Sequence, residues 1–224
     1  MTSLTPAVIR GLRPDLPAVD AALVAEKLEW AMRKFGILND AFPERSKNRV
    51  AHLAAQLAQE SGFRCVPENL MYSAAGLRRT WPSRFSWVQA LACQYQPQKI
   101  AGIAYGDRMG NLGPADGYTY RGLGWPQLTG RGNYAAYGPI ISKYAGVTLD
   151  LVAQPELMLQ VGVSALVSCA YLTTHQYRGL NGVQWADKGG AEYVEEVTWC
   201  VNGGQNGVDE RRAYYLKAVK LLAR

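Results

Sequence analysis

Between Gly110 and Gly132 the helical spacing of apolar residues stops, and seven glycines occur together with Pro114 and Pro126. On either side the apolar residues recur with helical period. The chain is therefore predicted to be mainly α, with one long loop or short-strand region that is a natural place for function. Helical patterns cover Ala18–Phe35, with a stop at Gly36, and Lys47–Ser61, with Ser46 as N-cap and Gly62 as stop. Shorter ones cover Ser73–Arg79, Phe85–Tyr95 and Ile100–Arg108. The pattern resumes at Asn133–Tyr144, Pro155–Thr174, Tyr193–Val201 and Asp209–Arg224. Asn39–Arg45 reads as a loop, and Val201–Val208 is again rich in Gly and Asn. No repeat, low-complexity tract or linker interrupts the chain. The expectation is one domain over residues 1–224, with glycine-rich loops forming a cleft and no separate binding module.

With 48% hydrophobic and 19% charged residues, 224 residues suffice for one sizeable core or two small lobes. The net charge of +6 suits an anionic partner, but no Lys/Arg-rich run marks a nucleic-acid arm. Two histidines, and four cysteines without a CxxC pair, are a poor supply of zinc ligands. No metal or organic cofactor is expected, and the cysteines read as free thiols or one incidental bridge. The longest apolar stretch, Val161–Leu172, is too short to span a bilayer and reads as a buried core helix. Met1–Pro14 lacks the basic start and apolar run of a signal peptide. Thirteen Tyr and six Trp suit sugar rings, which present C–H faces and hydroxyls, although composition alone favours ordinary core and surface aromatics.

One carboxylate stands out. In the Lys47–Ser61 helix, Val50, Leu53, Ala54 and Leu57 form an apolar stripe, and Glu60 continues it. A carboxyl on an apolar face, at the helix end where the dipole disfavours negative charge, is a candidate proton donor. The alternative is a buried glutamate satisfied by backbone or by an arginine. Glu68 follows eight residues later, beyond the helix end, either as a surface residue or as a second carboxylate opposite the first. Two carboxyls flanking a sugar bond are what glycoside hydrolysis requires.

The words Ala58-Gln59-Glu60-Ser61-Gly62-Phe63 and Glu68-Asn69-Leu70-Met71-Tyr72-Ser73-Ala74 resemble the catalytic stretch of family-19 glycoside hydrolases, which include chitinases and related bacteriophage endolysins. The resemblance continues through Arg108–Asn111, Asp116–Gly122, Gly124–Tyr134, Val201–Gly204 and Arg211, so it spans nearly the whole chain. It implies a lysozyme-like, two-lobed helical domain that cleaves β-1,4 bonds to N-acetylated sugars with inversion. Glu60 is then the general acid and Glu68 the base, about 6.5–9.5 Å apart with a water between them. Thr129 matches the hydroxyl residue that holds this water. Gln127, Tyr134, Asn202 and Arg121 match cleft positions for substrate. Arg211, grouped with them, matches a basic residue supporting the carboxylates.

Three departures from the family pattern matter. Gly62 is followed directly by Phe63, where a second glycine is usual, so Asp116 is kept as a reserve carboxylate. Leu123 replaces an arginine, and Trp125-Pro126 replaces a commoner aliphatic pair. The leading expectation is a monomeric endolysin that hydrolyses peptidoglycan. It would be made in the host cytoplasm and reach the wall through a pore or at lysis, without inserting in the membrane. A chitinase, a lytic transglycosylase (which needs no base and would tolerate Glu68→Gln) and an inactive wall-binding module are the alternatives.

Overall fold

The structure, a computed structural model, describes residues 3–223. Among these residues there are twelve α-helices. The first six are α1 (Pro6–Leu12), α2 (Ala18–Lys34), α3 (Pro43–Glu60), α4 (Ala74–Thr80), α5 (Trp87–Cys93) and α6 (Pro97–Tyr105). The others are α7 (Pro114–Thr119), α8 (Arg131–Ala145), α9 (Val161–Thr174), α10 (Gly182–Ala186), α11 (Val194–Asn202) and α12 (Val208–Leu222). The strands β1 (Gln176–Tyr177) and β2 (Leu180–Asn181) pair antiparallel. Met1, Thr2 and Arg224 lie outside the described residues, and with them the ends of the expected leader-free N-terminus and of the last expected helix.

Local chemistry accounts for most boundaries. Ser73 caps α4 by accepting from Gly76 N, and Ser86 with Gln89 forms a capping box on α5. Helix α3 begins earlier than expected because Pro43 starts it. Ser46 is therefore not its cap. It lies buried inside the helix, and its hydroxyl exchanges two hydrogen bonds of 2.8 Å with the main chain of Asn39. The Pro155–Thr174 pattern splits into a 3-10 turn at Pro155–Leu159 and α9. Helix α7 occupies part of Gly110–Gly132, which was expected to be irregular, and α1, α10 and the hairpin were not anticipated.

The apolar side chains form two clusters, and these define two lobes. The larger gathers α1–α3, α8, α9, α11 and α12, with α9 buried on almost every side from Val163 to Leu172. The smaller is built by Leu70, Leu77, Phe85, Ala90, Ile100 and Ala104 from α4–α6 and the segment before them. The glycine-rich segment is anchored in the larger lobe. Leu123, Trp125 and Leu128 are fully buried there, and Trp125 Nε1 donates to Phe63 O at 2.9 Å. The four cysteines are free thiols, and no helix among the described residues is long and apolar enough to cross a membrane.

His52 lies wholly inside the larger lobe. Its ring packs on Tyr215 with centroids 4.3 Å apart, and Nε2 meets Gly189 O at 3.3 Å. Nδ1 finds no partner. Burial pushes the imidazole down to about 4 from its ordinary 6.5, against smaller opposing pulls from Gly189 O and Glu192. The folded chain thus refuses a proton that the unfolded chain accepts. Stability from this site is present above pH 6.5 and is lost as pH falls towards 4, by roughly 3 kcal/mol. Urea titrations at pH 7 and pH 4.5 should show a smaller acid loss for His52→Gln than for the parent. Equal losses would contradict this.

Candidate active site

Along α3, Asn48, His52, Gln56 and Glu60 recur every fourth residue and so share one face. That face meets α12, where Arg211 and Tyr215 are also four apart. Tyr215 donates its hydroxyl proton to Asn48 Oδ1. Gln56 is fully buried; its Oε1 accepts from Arg211 Nη1 at 2.5 Å and its Nε2 donates to Thr198 Oγ1 at 3.2 Å. Arg211 Nη2 donates to Glu60 Oε1 at 2.6 Å, while its Nε donates to Asn206 O. Arg211 is only 2% exposed, so it presents no edge to a ligand. Its place among the substrate-binding residues is corrected: it is a positioning residue that orients Glu60. A guanidinium fork suits this task because it can meet Gln56 and Glu60 at once.

Glu60 opens onto a cleft of about 480 Å³, lined also by Gln127, Thr129, Asn202, Tyr171 and Trp199. Thr129 donates its hydroxyl proton to Gln127 O at 2.8 Å, which leaves its lone pairs free to accept from a water or sugar hydroxyl. Asn202 is the last residue of α11 and is exposed. Gly203 stops the helix there in a left-handed conformation. Gln127 has a φ of +50°, a strained backbone for a non-glycine residue. It closes the turn between the bridged residues Leu123 and Leu128, and its Nε2 donates to Gly124 O and Val66 O. Trp199 and Tyr171 were missed by sequence reasoning. The available signal for Trp199 was its position three residues before Asn202, on the same helix face. Its ring stacks on Tyr177 with centroids 4.9 Å apart.

Glu68 is held separately. Tyr105 donates its hydroxyl proton to Glu68 Oε1 at 2.7 Å, and the Glu68 main-chain N donates to Gly122 O at 2.7 Å. A β-carbon at Gly122 would lie 2.8 Å from Gln127 Oε1 and 3.4 Å from Glu68 Oε2. The glycine therefore lets Gln127, which lines the Glu60 cleft, come close to Glu68. Burial raises the Glu68 carboxyl above its ordinary range, opposed by the Tyr105 hydroxyl, the Gly122 N–H and the Arg121 charge.

The missing second glycine at position 63 has a local answer. Phe63 itself adopts a left-handed φ of +59° straight after Gly62, held by its buried ring and by the Trp125 bond to its carbonyl.

Several expected site residues do other work. Tyr134 is fully buried in the larger core, and its hydroxyl donates to Arg121 O at 3.0 Å, so it supports the loop from within and exposes no edge. The Arg121 guanidinium is committed to Tyr118 O and Glu156 and lies 4.4 Å from the centre of the Tyr118 ring. Its charge is also among the influences that oppose the upward shift of Glu68. Leu123 is buried and bridged to Pro67 and Leu128, so its side chain lies in the core and not beside the cleft. Asp116 Oδ2 accepts from Leu112 N at 3.0 Å and pairs with Arg131 at 3.4 Å. It fastens the loop entering α7 and lies outside the cleft around Glu60.

Two carboxyls fixed by different partners, with a hydroxyl and amides in the cleft, are suited to acid/base cleavage of a glycosidic bond. Over 98% of its length the chain superposes on chitinase C from Streptomyces griseus, with a TM-score of 0.62, 17% identity and 76% of that chain covered. It superposes equally far on a bacterial family 19 chitinase, with a TM-score of 0.64, 19% identity and 94% of that chain covered. No protein-family model matches the sequence. The mainly α fold is the one these two structures share. A Haemophilus influenzae protein described as a glycosyl hydrolase family 19 domain-containing protein is 33% identical over 174 residues, covering 76% of this chain and 78% of its own. The chain belongs to glycosyl hydrolase family 19.

Proposed function

We propose that this hydrolase cuts β-1,4 bonds of bacterial peptidoglycan as a phage-type endolysin, with Glu60 as general acid and Glu68 as base. The carrying observation is that Glu60, oriented by a buried arginine, opens onto a cleft with Thr129 and Asn202. In this reading Glu68 takes a proton from a water that Thr129 holds, and the water attacks from the face opposite Glu60, giving inversion. Gln127 and Asn202 bind the sugar. The basic balance of +6 supports an anionic wall as target. The enzyme works as a monomer without a cofactor, since acid/base hydrolysis needs only carboxyls and water. It meets the wall from the cytoplasm of an infected cell, through a pore or at lysis.

Chitin is the second reading, favoured by the two chitinase structures that share the fold. Product analysis on purified peptidoglycan and on chitin separates the two. New muramic-acid or glucosamine reducing ends from peptidoglycan are expected. Turnover of chitin alone would overturn the wall assignment, and anhydro products would indicate a transglycosylase.

The base assignment predicts a pH effect. The Tyr105 hydroxyl bond favours ionised Glu68, so Tyr105→Phe raises the pH at which the base becomes available. The acid limb of the kcat/KM profile should move to higher pH. An unmoved limb with unchanged folding would remove Glu68 from this role.

A further inference from the structure

From Asn69 to Gly106 the chain carries no Asp or Glu, yet it holds Arg78, Arg79, Arg84 and Lys99. This stretch builds the smaller lobe. On α5 and just beyond it, Trp87, Val88, Leu91 and Tyr95 are 56%, 78%, 58% and 55% exposed, while Ala90 and Cys93 face the core. At 100° per residue Trp87, Val88 and Leu91 fall within an arc of about 100°. A groove of about 770 Å³ runs along the flank of the same helix, where Ala92, Ile103, Pro114 and Tyr118 widen the apolar surface and Lys99 also lines it. On the other flank the Arg78 guanidinium lies 6.0 Å from the centre of the Trp87 ring. Arg79 and Lys99 are exposed. Neither forms an ion pair among the described residues.

We propose that this face of the smaller lobe docks on an anionic phospholipid bilayer, with Trp87, Val88 and Leu91 entering the headgroup boundary and the flanking cations meeting lipid phosphates. Aliphatic and aromatic side chains projecting from one helix face, with Arg79 and Lys99 exposed and outside any ion pair among the described residues, match the chemistry of interfacial binding. A sugar polymer fits less well, because Val88 and Leu91 offer neither a flat ring nor a hydrogen bond. A second copy fits less well too, because a two-fold contact would press two copies of the same face together, and the stretch that builds it, Asn69–Gly106, holds no acid to pair the partner's cations. The proposal stands apart from the hydrolytic reading and does not depend on it.

The test is co-sedimentation of the full chain with vesicles of phosphatidylglycerol and phosphatidylethanolamine, or of phosphatidylcholine alone, at low salt. The parent protein should partition into the anionic vesicles about tenfold better, and added salt should reverse this. The triple variant Trp87→Ser, Val88→Ser, Leu91→Ser should bind them at least about tenfold less. The double variant Arg79→Glu, Lys99→Glu should lose a similar factor. Both should cleave soluble substrate as before, since all five side chains are exposed and none lines the Glu60 cleft. The proposal is overturned if the parent shows no preference for anionic vesicles, or if both variants bind like the parent. It is equally overturned if the serine variant instead loses binding to insoluble wall, or loses a dimer seen by sedimentation.

Discussion

Glu60→Gln protein is expected to bind wall polysaccharide normally and to hydrolyse it about 10²–10⁴-fold more slowly in kcat. The amide has the shape of the acid and its oxygen still accepts from Arg211, but it has no proton to give the leaving oxygen. KM should change little, because Gln127, Thr129 and Asn202 are untouched. Some stability is lost, since a neutral partner now faces a guanidinium that is 2% exposed. About 1–3 kcal/mol is the expected scale, so kinetics belong well below the melting transition. Steady-state rates on soluble oligosaccharides, beside a pull-down on insoluble wall, decide the matter. A folded variant within tenfold of the parent rate would remove Glu60 as the acid.

Arg211→Met should produce the largest loss of stability, about 3–5 kcal/mol by denaturant unfolding. The methionine fills part of the volume but leaves Gln56 Oε1 without its donor and Glu60 without its ion pair. Arg211→Lys separates stability from function. One ammonium keeps the charge but cannot span Gln56 and Glu60 as the fork does. That variant should fold better than Arg211→Met and still lose kcat with KM nearly unchanged. If Arg211→Lys kept full turnover, charge alone would account for the contact and the orienting role would be wrong.

The α3 face shows how far a sequence reading reaches. Helical spacing made Glu60 the odd carboxyl on an apolar stripe, and the matching words around Glu68 and Thr129 pointed to sugar chemistry. The spacing of Asn48, His52, Gln56 and Glu60 was equally visible, but nothing local says that all four meet residues of α12. Their partners lie far along the chain: Arg211 reaches Glu60 across 151 positions. Tyr134 and Arg121 share the difficulty. A motif word places a residue in a loop, whereas burial and committed hydrogen bonds decide whether its side chain faces the substrate or holds the loop from behind.

The helical class, the glycine-rich interruption and the candidacy of Glu60 were thus determined by the sequence alone, because they rest on local periodicity and on the cost of placing a charge on an apolar face. Only the tertiary structure decided that Gln56 joins Arg211 in holding Glu60, that Tyr105 bonds Glu68, that Phe63 makes the turn expected of glycine and that Tyr134 is core. Each of these depends on a desolvated contact between segments distant in the chain, and such contacts exist only once the lobes have packed.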